Sequence, residues 1–317
     1  MKLRPLVPTL RDPRTELVKT YQSWLNTQGA KLKVDGKFGD DTKTAQAGAK
    51  LPEVDVPPLC MWIDRAWKDT ASFHRMLVSA QQQHNFKPAR VGLFLNPLDE
   101  KTFKPFASAA TLSETVGMLA EAGIDADLTA WIRPNKAYID ALLKYVTPVL
   151  NAWKTSRLDL DAESAWGSGS SADCADAAEH LFKAWKFPGR LSVNDYASLQ
   201  ADTRHLLRDG VRRRPQAYSV GFVNHSGGRV ETAKNSVYYP GETQCFALKQ
   251  SLWGGVAGNG PLDIGLAAYK PVAGMSIEEQ VRTQIQSALW FKPQELWFWS
   301  LRTDGKYLAA LGALQDE

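Results

Sequence analysis

Residues 157–166 read Arg157-Leu158-Asp159-Leu160-Asp161-Ala162-Glu163-Ser164-Ala165-Trp166. Side chains alternate faces along a strand, so Asp159, Asp161 and Glu163 share one face while Leu158, Leu160 and Ala162 share the other. In a closed barrel wrapped by helices, the apolar set meets the helices and the acids turn inward, with Glu163 nearest the carboxyl end of the strand. That end is where barrel active sites are built. Three acids in one low-dielectric interior cannot all ionise cheaply. At least one carboxyl is therefore expected to hold its proton to higher pH, as a general acid must. Two other uses of the same residues stay open. They could pair with arginines such as Arg133 or Arg302 in a buried structural network. They could instead hold magnesium or calcium, although alternate residues ~6–7 Å apart suit one ion poorly.

Outward from this strand the chain alternates short apolar runs with helical stretches. Strands are expected at Cys60–Ile63, Val91–Asn96, Ala126–Ile132, Arg157–Asp161, Arg190–Asn194, Gln216–Phe222, Ile264–Tyr269 and Leu296–Leu301. Between them lie helices at Thr70–His84, Thr111–Ala122, Lys136–Lys154, Ala172–Lys186, Leu199–Gly210, Gln244–Leu252 and Ile277–Trp290, with Gly305–Leu314 as the last. Alternation of this kind over residues 59–317 predicts a (β/α)8 barrel. A doubly wound open sheet is the competing architecture, but no glycine-rich phosphate loop follows an early strand.

The 44% hydrophobic and 23% charged fractions are ordinary for a folded chain and argue against disorder or a fibrous repeat. No apolar run is long enough to span a membrane, and Pro5, Pro8 and Arg11 interrupt the N-terminus where a secretion signal would lie. Synthesis in the cytoplasm is therefore expected, with no membrane partner. Cys60, Cys174 and Cys245 are odd in number and widely spaced, so neither a disulfide framework nor a zinc site is expected, and no cofactor is. The five histidines show no metal-ligand spacing.

Pro52-Glu53-Val54-Asp55-Val56-Pro57-Pro58 disfavours helix and internal strand, which makes residues 52–58 an extended connector between a unit at 1–51 and the barrel at 59–317. In the first unit, Thr15–Thr27 is amphipathic through Leu17, Tyr21, Trp24 and Leu25, and Gly29 ends it. A turn at Asp35-Gly36-Lys37-Phe38-Gly39 follows, after which Asp40 or Asp41 is expected to cap a second helix containing Thr42 and Ala45. The constellation Leu25-Asn26, Gly29, Leu32, Val34-Asp35-Gly36, Phe38-Gly39 and Thr42 resembles the small all-α peptidoglycan-binding domain found beside cell-wall hydrolases. It departs from that pattern at Ala45-Gln46-Ala47-Gly48-Ala49-Lys50, where the domain usually has an apolar-Phe-Gln ending. The resemblance implies a wall-binding module with Asp35, Phe38 and Thr42 among its defining residues.

Asp159-x-Asp161-x-Glu163 is similar to the end of the DxxDxDxE signature of family-18 chitinase-type glycosidases, with Ser156 at the position of the first Asp. It also resembles the Asp-x-Glu of family-25 lysozyme-type muramidases, whose aspartate on the first strand matches Asp64. The chitinase-type resemblance implies that Glu163 protonates the glycosidic oxygen while Asp161 orients the substrate's own N-acetyl group as nucleophile. Asp159 would support them from deeper in the barrel, and Asp64 would be a fourth member. Trp62, Trp131 and Trp299 lie on or near strand ends, where indoles stack on sugar rings, and Leu296-Trp297-Phe298-Trp299-Ser300 resembles the eighth-strand tryptophan floor of chitinase-type sites. Asn194, Tyr196 and Tyr218 are candidates for hydrogen bonds to an N-acetyl group.

The expected protein is a monomeric wall hydrolase on the plan of phage endolysins and autolysins, acting on peptidoglycan after release through a holin or on lysis. A non-catalytic glycan-binding protein and an amidase or peptidase are the alternatives. The net charge of +4 is too small to argue for nucleic acid, and its placement is informative. Residues 1–50 hold ten basic and five acidic residues, so the surplus belongs to the first unit, where it can attract an anionic wall.

Overall fold

Leu59–Ile63 (β3) is buried along its whole length. Its alternate residues part into two cores, with Cys60 and Trp62 inside the barrel and Leu59, Met61 and Ile63 against the helices. The same division holds around a closed parallel barrel. Its strands are β3, β4 (Arg90–Phe94), β5 (Asp125–Trp131), β6 (Arg157–Asp161), β7 (Leu191–Tyr196), β8 (Arg212–Gln216), β11 (Ile264–Ala267) and β12 (Leu296–Trp299). Closure comes from β12 on β3, where Leu296 faces Leu59 and Trp299 faces Trp62. The computed structural model describes residues 1–7, 15–98, 100–196, 201–217, 222–224, 238–240, 260–268, 275–299 and 305–316. Within them, β9 (Phe222–Asn224) and β10 (Tyr238–Pro240) form a separate antiparallel pair.

The surrounding helices are α3 (Thr70–His84), α4 (Ala109–Glu121), α5 (Lys136–Ala152), α6 (Ser171–Ala184), α7 (Ile277–Leu289) and α8 (Gly305–Asp316). Side chains start five of them: Asp69, Ser108, Asn135, Ser170 and Ser276 each accept a first-turn backbone N–H. Two expectations fail here. Within Leu199–Gly210, the described residues 201–210 hold a short 3-10 turn, Asp202–Leu206, and no α-helix. Among the described residues the sixth barrel strand is Arg212–Gln216, upstream of the expected Gln216–Phe222, and its Arg212 and Arg214 turn inward to meet carboxylates. The helix expected at Gln244–Leu252 lies outside the described residues.

The first unit contains α1 (Thr15–Thr27) and α2 (Asp40–Gly48), packed around Val18, Tyr21 and Leu25. Buried Gln22 organises the turn between them. Its Nε2 donates to Asp35 Oδ1 and the Lys37 carbonyl, and its Oε1 accepts from the N–H groups of Asp35 and Gly36. Gly36 is left-handed (φ 77°), and a Cβ there would meet the Thr15 methyl at 2.3 Å. Asp35, Phe38 and Thr42 are all engaged in this small core, Thr42 being buried and bonded to Gln22. Neither Asp40 nor Asp41 caps α2; Gly39 holds the cap position and both acids occupy the first turn, where the helix dipole favours them. Within residues 52–58, Val54–Asp55 (β2) pairs antiparallel with Lys2–Leu3 (β1). The unit touches the barrel through Trp24, which stacks on Trp290 at 5.4 Å, and through Leu6 N–H on the Gln286 carbonyl.

Candidate active site

The barrel interior is layered by strand register. In the lower layers four arginines from β4, β6 and β8 meet the acids. Asp127 on β5 accepts from Arg157 (3.0 Å), Arg90 (3.1 Å) and Arg214 (2.9 Å). Glu295 pairs with Arg157 at 2.7 Å, and Asp263 with Arg212 at 3.1 Å. Burial alone would raise the Asp127 carboxyl, but Arg157, Arg90 and Arg214 outweigh it and hold that carboxyl well below the ordinary range. Asp263 differs: burial pushes it up to about 6 despite Arg214 and Arg212.

One layer higher, the indole of Trp62 crosses the barrel between two glycines. A Cβ on Gly92 would lie 2.4 Å from Trp62 Cδ1, and one on Gly265 would lie 3.0 Å from Trp62 Cη2. Trp62 donates its Nε1–H to Asp159 Oδ2 at 3.2 Å, so this tryptophan is buried floor and not an exposed stacking platform. Asp159 is buried completely and also accepts from Asn194 Nδ2 (2.9 Å), Thr129 Oγ1 (3.2 Å) and Ser192 Oγ (2.8 Å). Arg214 Nη1 lies 2.9 Å from the same carboxylate.

At the carboxyl ends of the strands a cavity of about 200 Å³ opens, lined by Trp62, Phe94, Leu98, Trp131, Asp161, Glu163, Asn194, Gln216 and Trp299. Six sequence-derived candidates converge here: Asp161, Glu163, Asn194, Trp62, Trp131 and Trp299. Phe94 joins the two half-buried tryptophans into one aromatic wall, 4.5 Å from Trp131 and 4.8 Å from Trp299. Asp161 is driven well above the usual carboxylate range, first by burial and then by the charges of Glu163, Asp159 and Asp195. Among the described residues no arginine lies within ion-pair distance of it, and its Oδ1 has no hydrogen-bond partner. Glu163, two residues beyond the strand register, is half-buried at the cavity.

Asp64 follows β3 but does not line this cavity. The side chain of Tyr196 and the whole of Tyr218 lie outside the described residues, as does Arg302. Arg133, a candidate partner for the acids, donates instead to the carbonyls of Glu100 and Leu98, and so holds the loop after β4 over the cavity. Sequence reasoning missed Arg214 and Gln216. Arg212-Arg213-Arg214 reads as a solvated basic run, yet Arg212, Arg214 and Gln216 alternate with the period of a strand and all turn inward. Gln216 Nε2 donates to Asn194 Oδ1 (2.8 Å), which fixes the Asn194 amide with its NH2 toward Asp159. At the position of the first signature Asp, the Ser156 hydroxyl is buried and has no hydrogen-bond partner among the described residues.

An inward carboxylate row ending at an aromatic-walled cavity on the carboxyl face of a (β/α)8 barrel is an arrangement suited to acid catalysis on a ring-shaped substrate. No protein-family model matches the chain, and no sequence among characterised proteins does. Among solved structures, a GH18 chitinase from Pseudoalteromonas aurantia superposes with a TM-score of 0.50 at 10% identity, over 82% of this chain and 100% of that one. This likeness shows a shared barrel fold. A GH18 chitinase from Cycas revoluta in complex with (GlcNAc)4 gives 0.48 at 10% identity over 81% and 99%. The Bacillus cereus spore cortex-lytic enzyme SleL gives 0.47 at 8% identity over 96% and 85%.

Proposed function

We propose that the chain is a glycoside hydrolase that cleaves the N-acetylated glycan strand of peptidoglycan, with residues 1–51 as wall-binding module, 52–58 as connector and 59–317 as catalytic barrel. The observation that carries this reading is the pairing of Asp161 and Glu163 at the aromatic cavity, where among the described residues no arginine pairs with Asp161 while the acids below are paired. Glu163 is the general acid, since it stands outermost and reaches a bound sugar first. It gives its proton to the glycosidic oxygen. Asp161 orients the acetamido group whose oxygen attacks the anomeric carbon, as in the chitinase-type precedent. Trp131 and Trp299 offer faces to the sugar, with Asn194 and Gln216 as polar anchors. Peptidoglycan is favoured over other N-acetylated glycans by the wall-binding constellation in the first unit, whose positive surplus suits an anionic surface.

Digestion of purified sacculi tests the reading. New reducing ends and soluble muropeptides are expected from the wild-type chain, and Glu163→Gln should release them ~10²–10⁴ times more slowly. Peptides with new free amino groups and no reducing ends would identify an amidase or peptidase. Retention on sacculi with nothing released would identify a glycan-binding protein, the reading that Ser156 at the first signature position favours.

A further inference from the structure

We propose that the cavity between the first unit and the barrel is a second substrate site, which takes the peptide stem of peptidoglycan and not its sugars. The identity of the ligand rests on the wall-hydrolase reading; the cavity and its chemistry do not.

The cavity measures about 500 Å³, within the ~300–1,000 Å³ of small-ligand sites, and neither unit makes it alone. Trp24 and Gln28 come from α1, Val54 and Asp55 from the connector, and Trp290 and Lys292 from the barrel. Pro57 precedes β3 and Pro293 precedes β12, so the cavity lies at the amino ends of the strands, at the opposite end of the barrel from Asp161 and Glu163. A ligand seated here leaves the active cavity free.

Val54 is 36% exposed, one of two large apolar side chains so placed among the described residues, and apolar surface left open beside charged groups marks a place for a ligand. Lys292 closes the turn after α7 with a left-handed backbone (φ 53°), its N–H on the Leu289 carbonyl. Glycine is the usual residue at such a turn, so a lysine is held there against backbone strain, and its side chain stands at the rim of the cavity.

The lining separates peptide from sugar. Tyr21, Trp24, Trp290 and Phe291 stack in succession, with centroids 5.6, 5.4 and 6.2 Å apart and neighbouring planes within 26°. These rings spend their faces on one another, and the cavity meets indole edges, whereas a sugar platform needs an open face. Pro5, Pro52, Leu51 and Leu289 add an apolar wall suited to methyl groups. Asp55 and Lys292 are both exposed, one anionic and one cationic. A stem peptide matches this set: it brings alanine methyls, carboxylates and the free amine of its diamino acid, and N-acetylated sugars carry no such amine. Lys292 takes a carboxylate and Asp55 takes the amine, each through a charge-assisted hydrogen bond.

The test uses the full chain with ¹⁵N-labelled tryptophan indoles, titrated to about 5 mM with the tetrapeptide L-alanyl-γ-D-glutamyl-meso-diaminopimelyl-D-alanine. The signals of Trp24 and Trp290, assigned through Trp24→Phe and Trp290→Phe, should move, and those of Trp131 and Trp299 should stay. No movement, or movement at Trp131 and Trp299 alone, would overturn the proposal. So would an N-acetylglucosamine oligosaccharide that moved Trp24 and Trp290 in the peptide's place. Lys292→Glu and Asp55→Asn should each raise the peptide Kd about tenfold, and an unchanged Kd in both would refute the site. Acetylating the diaminopimelyl amine should weaken binding to wild type by about the same factor and to Asp55→Asn not at all; an equal loss in both would refute the assigned pairing. Binding is read without cleavage. A chain that binds the peptide but cuts no glycan would sink the glycosidase reading and leave this site standing, and one that cuts glycan but ignores the peptide would do the reverse.

Discussion

The two ends of the barrel interior treat the same kind of residue in opposite ways. Below Trp62, Asp127 meets arginines from β4, β6 and β8 and stays ionised. Above it, Asp161 sits in equal burial, and the charges that bear most on it among the described residues are those of Glu163, Asp159 and Asp195. Both sets lie on inward faces of neighbouring strands, so burial cannot explain the difference; the placement of arginine does. Among the described residues, arginine reaches only as high as Asp159. The lower layers are thus an electrostatic foundation, and the upper layer keeps charge stress that a structural network would have neutralised.

The contrast can be broken most severely from below. Asp127→Asn leaves Arg90, Arg157 and Arg214 without their shared carboxylate, and a loss of about 3–5 kcal/mol is expected from chemical unfolding. A loss under 1 kcal/mol would mean that the network is not a foundation. Next in size is Gly92→Ala between the two layers. The added methyl would sit 2.4 Å from the buried Trp62 ring, and overpacking of that kind costs about 1–3 kcal/mol. A shifted Trp62 should also be visible in its intrinsic fluorescence.

The smallest effect has the opposite sign and sharpens the comparison. A carboxyl whose folded pKa is raised supports the fold while protonated and loses that support as pH rises through its folded value. Asp161→Asn removes this loss, so the variant should melt at a higher temperature than wild type at neutral pH, with the gap closing toward about pH 4. Asp127, held low, behaves in reverse. Its contribution is present above the ordinary aspartate range and is lost as acid brings the pH down to its folded value. A melting gap for Asp161→Asn that widened in acid would contradict the assignment of the two ends.

Much of this layout is legible in residues 157–163. Alternation of Leu158 and Leu160 with Asp159 and Asp161 is enough to orient the strand, because only one face can meet apolar helices. Seven strands are found where apolar alternation marks them, within a few residues at each end. The eighth, Arg212–Gln216, is hidden because its inward residues are charged, and a charged alternation resembles a solvated surface until partners are known. Trp62 is similar. A tryptophan at a strand end reads as a sugar platform, yet glycines on β4 and β11 admit its indole into the barrel and turn its N–H to Asp159. Gln22 holds the Asp35-Gly36 turn from thirteen residues away, a distance at which no local pattern points to it.

The sequence by itself determined the barrel, the inward acidic row and the strand end on which Glu163 stands, because these depend on periodicity within single elements. Only the tertiary structure decided which acids are neutralised. Arg214 and Asp159 are 55 residues apart, and nothing within either strand shows that the guanidinium lies 2.9 Å from that carboxylate and beyond the reach of Asp161. Charge compensation in a buried interior depends on distance in space, and that was settled when the barrel closed.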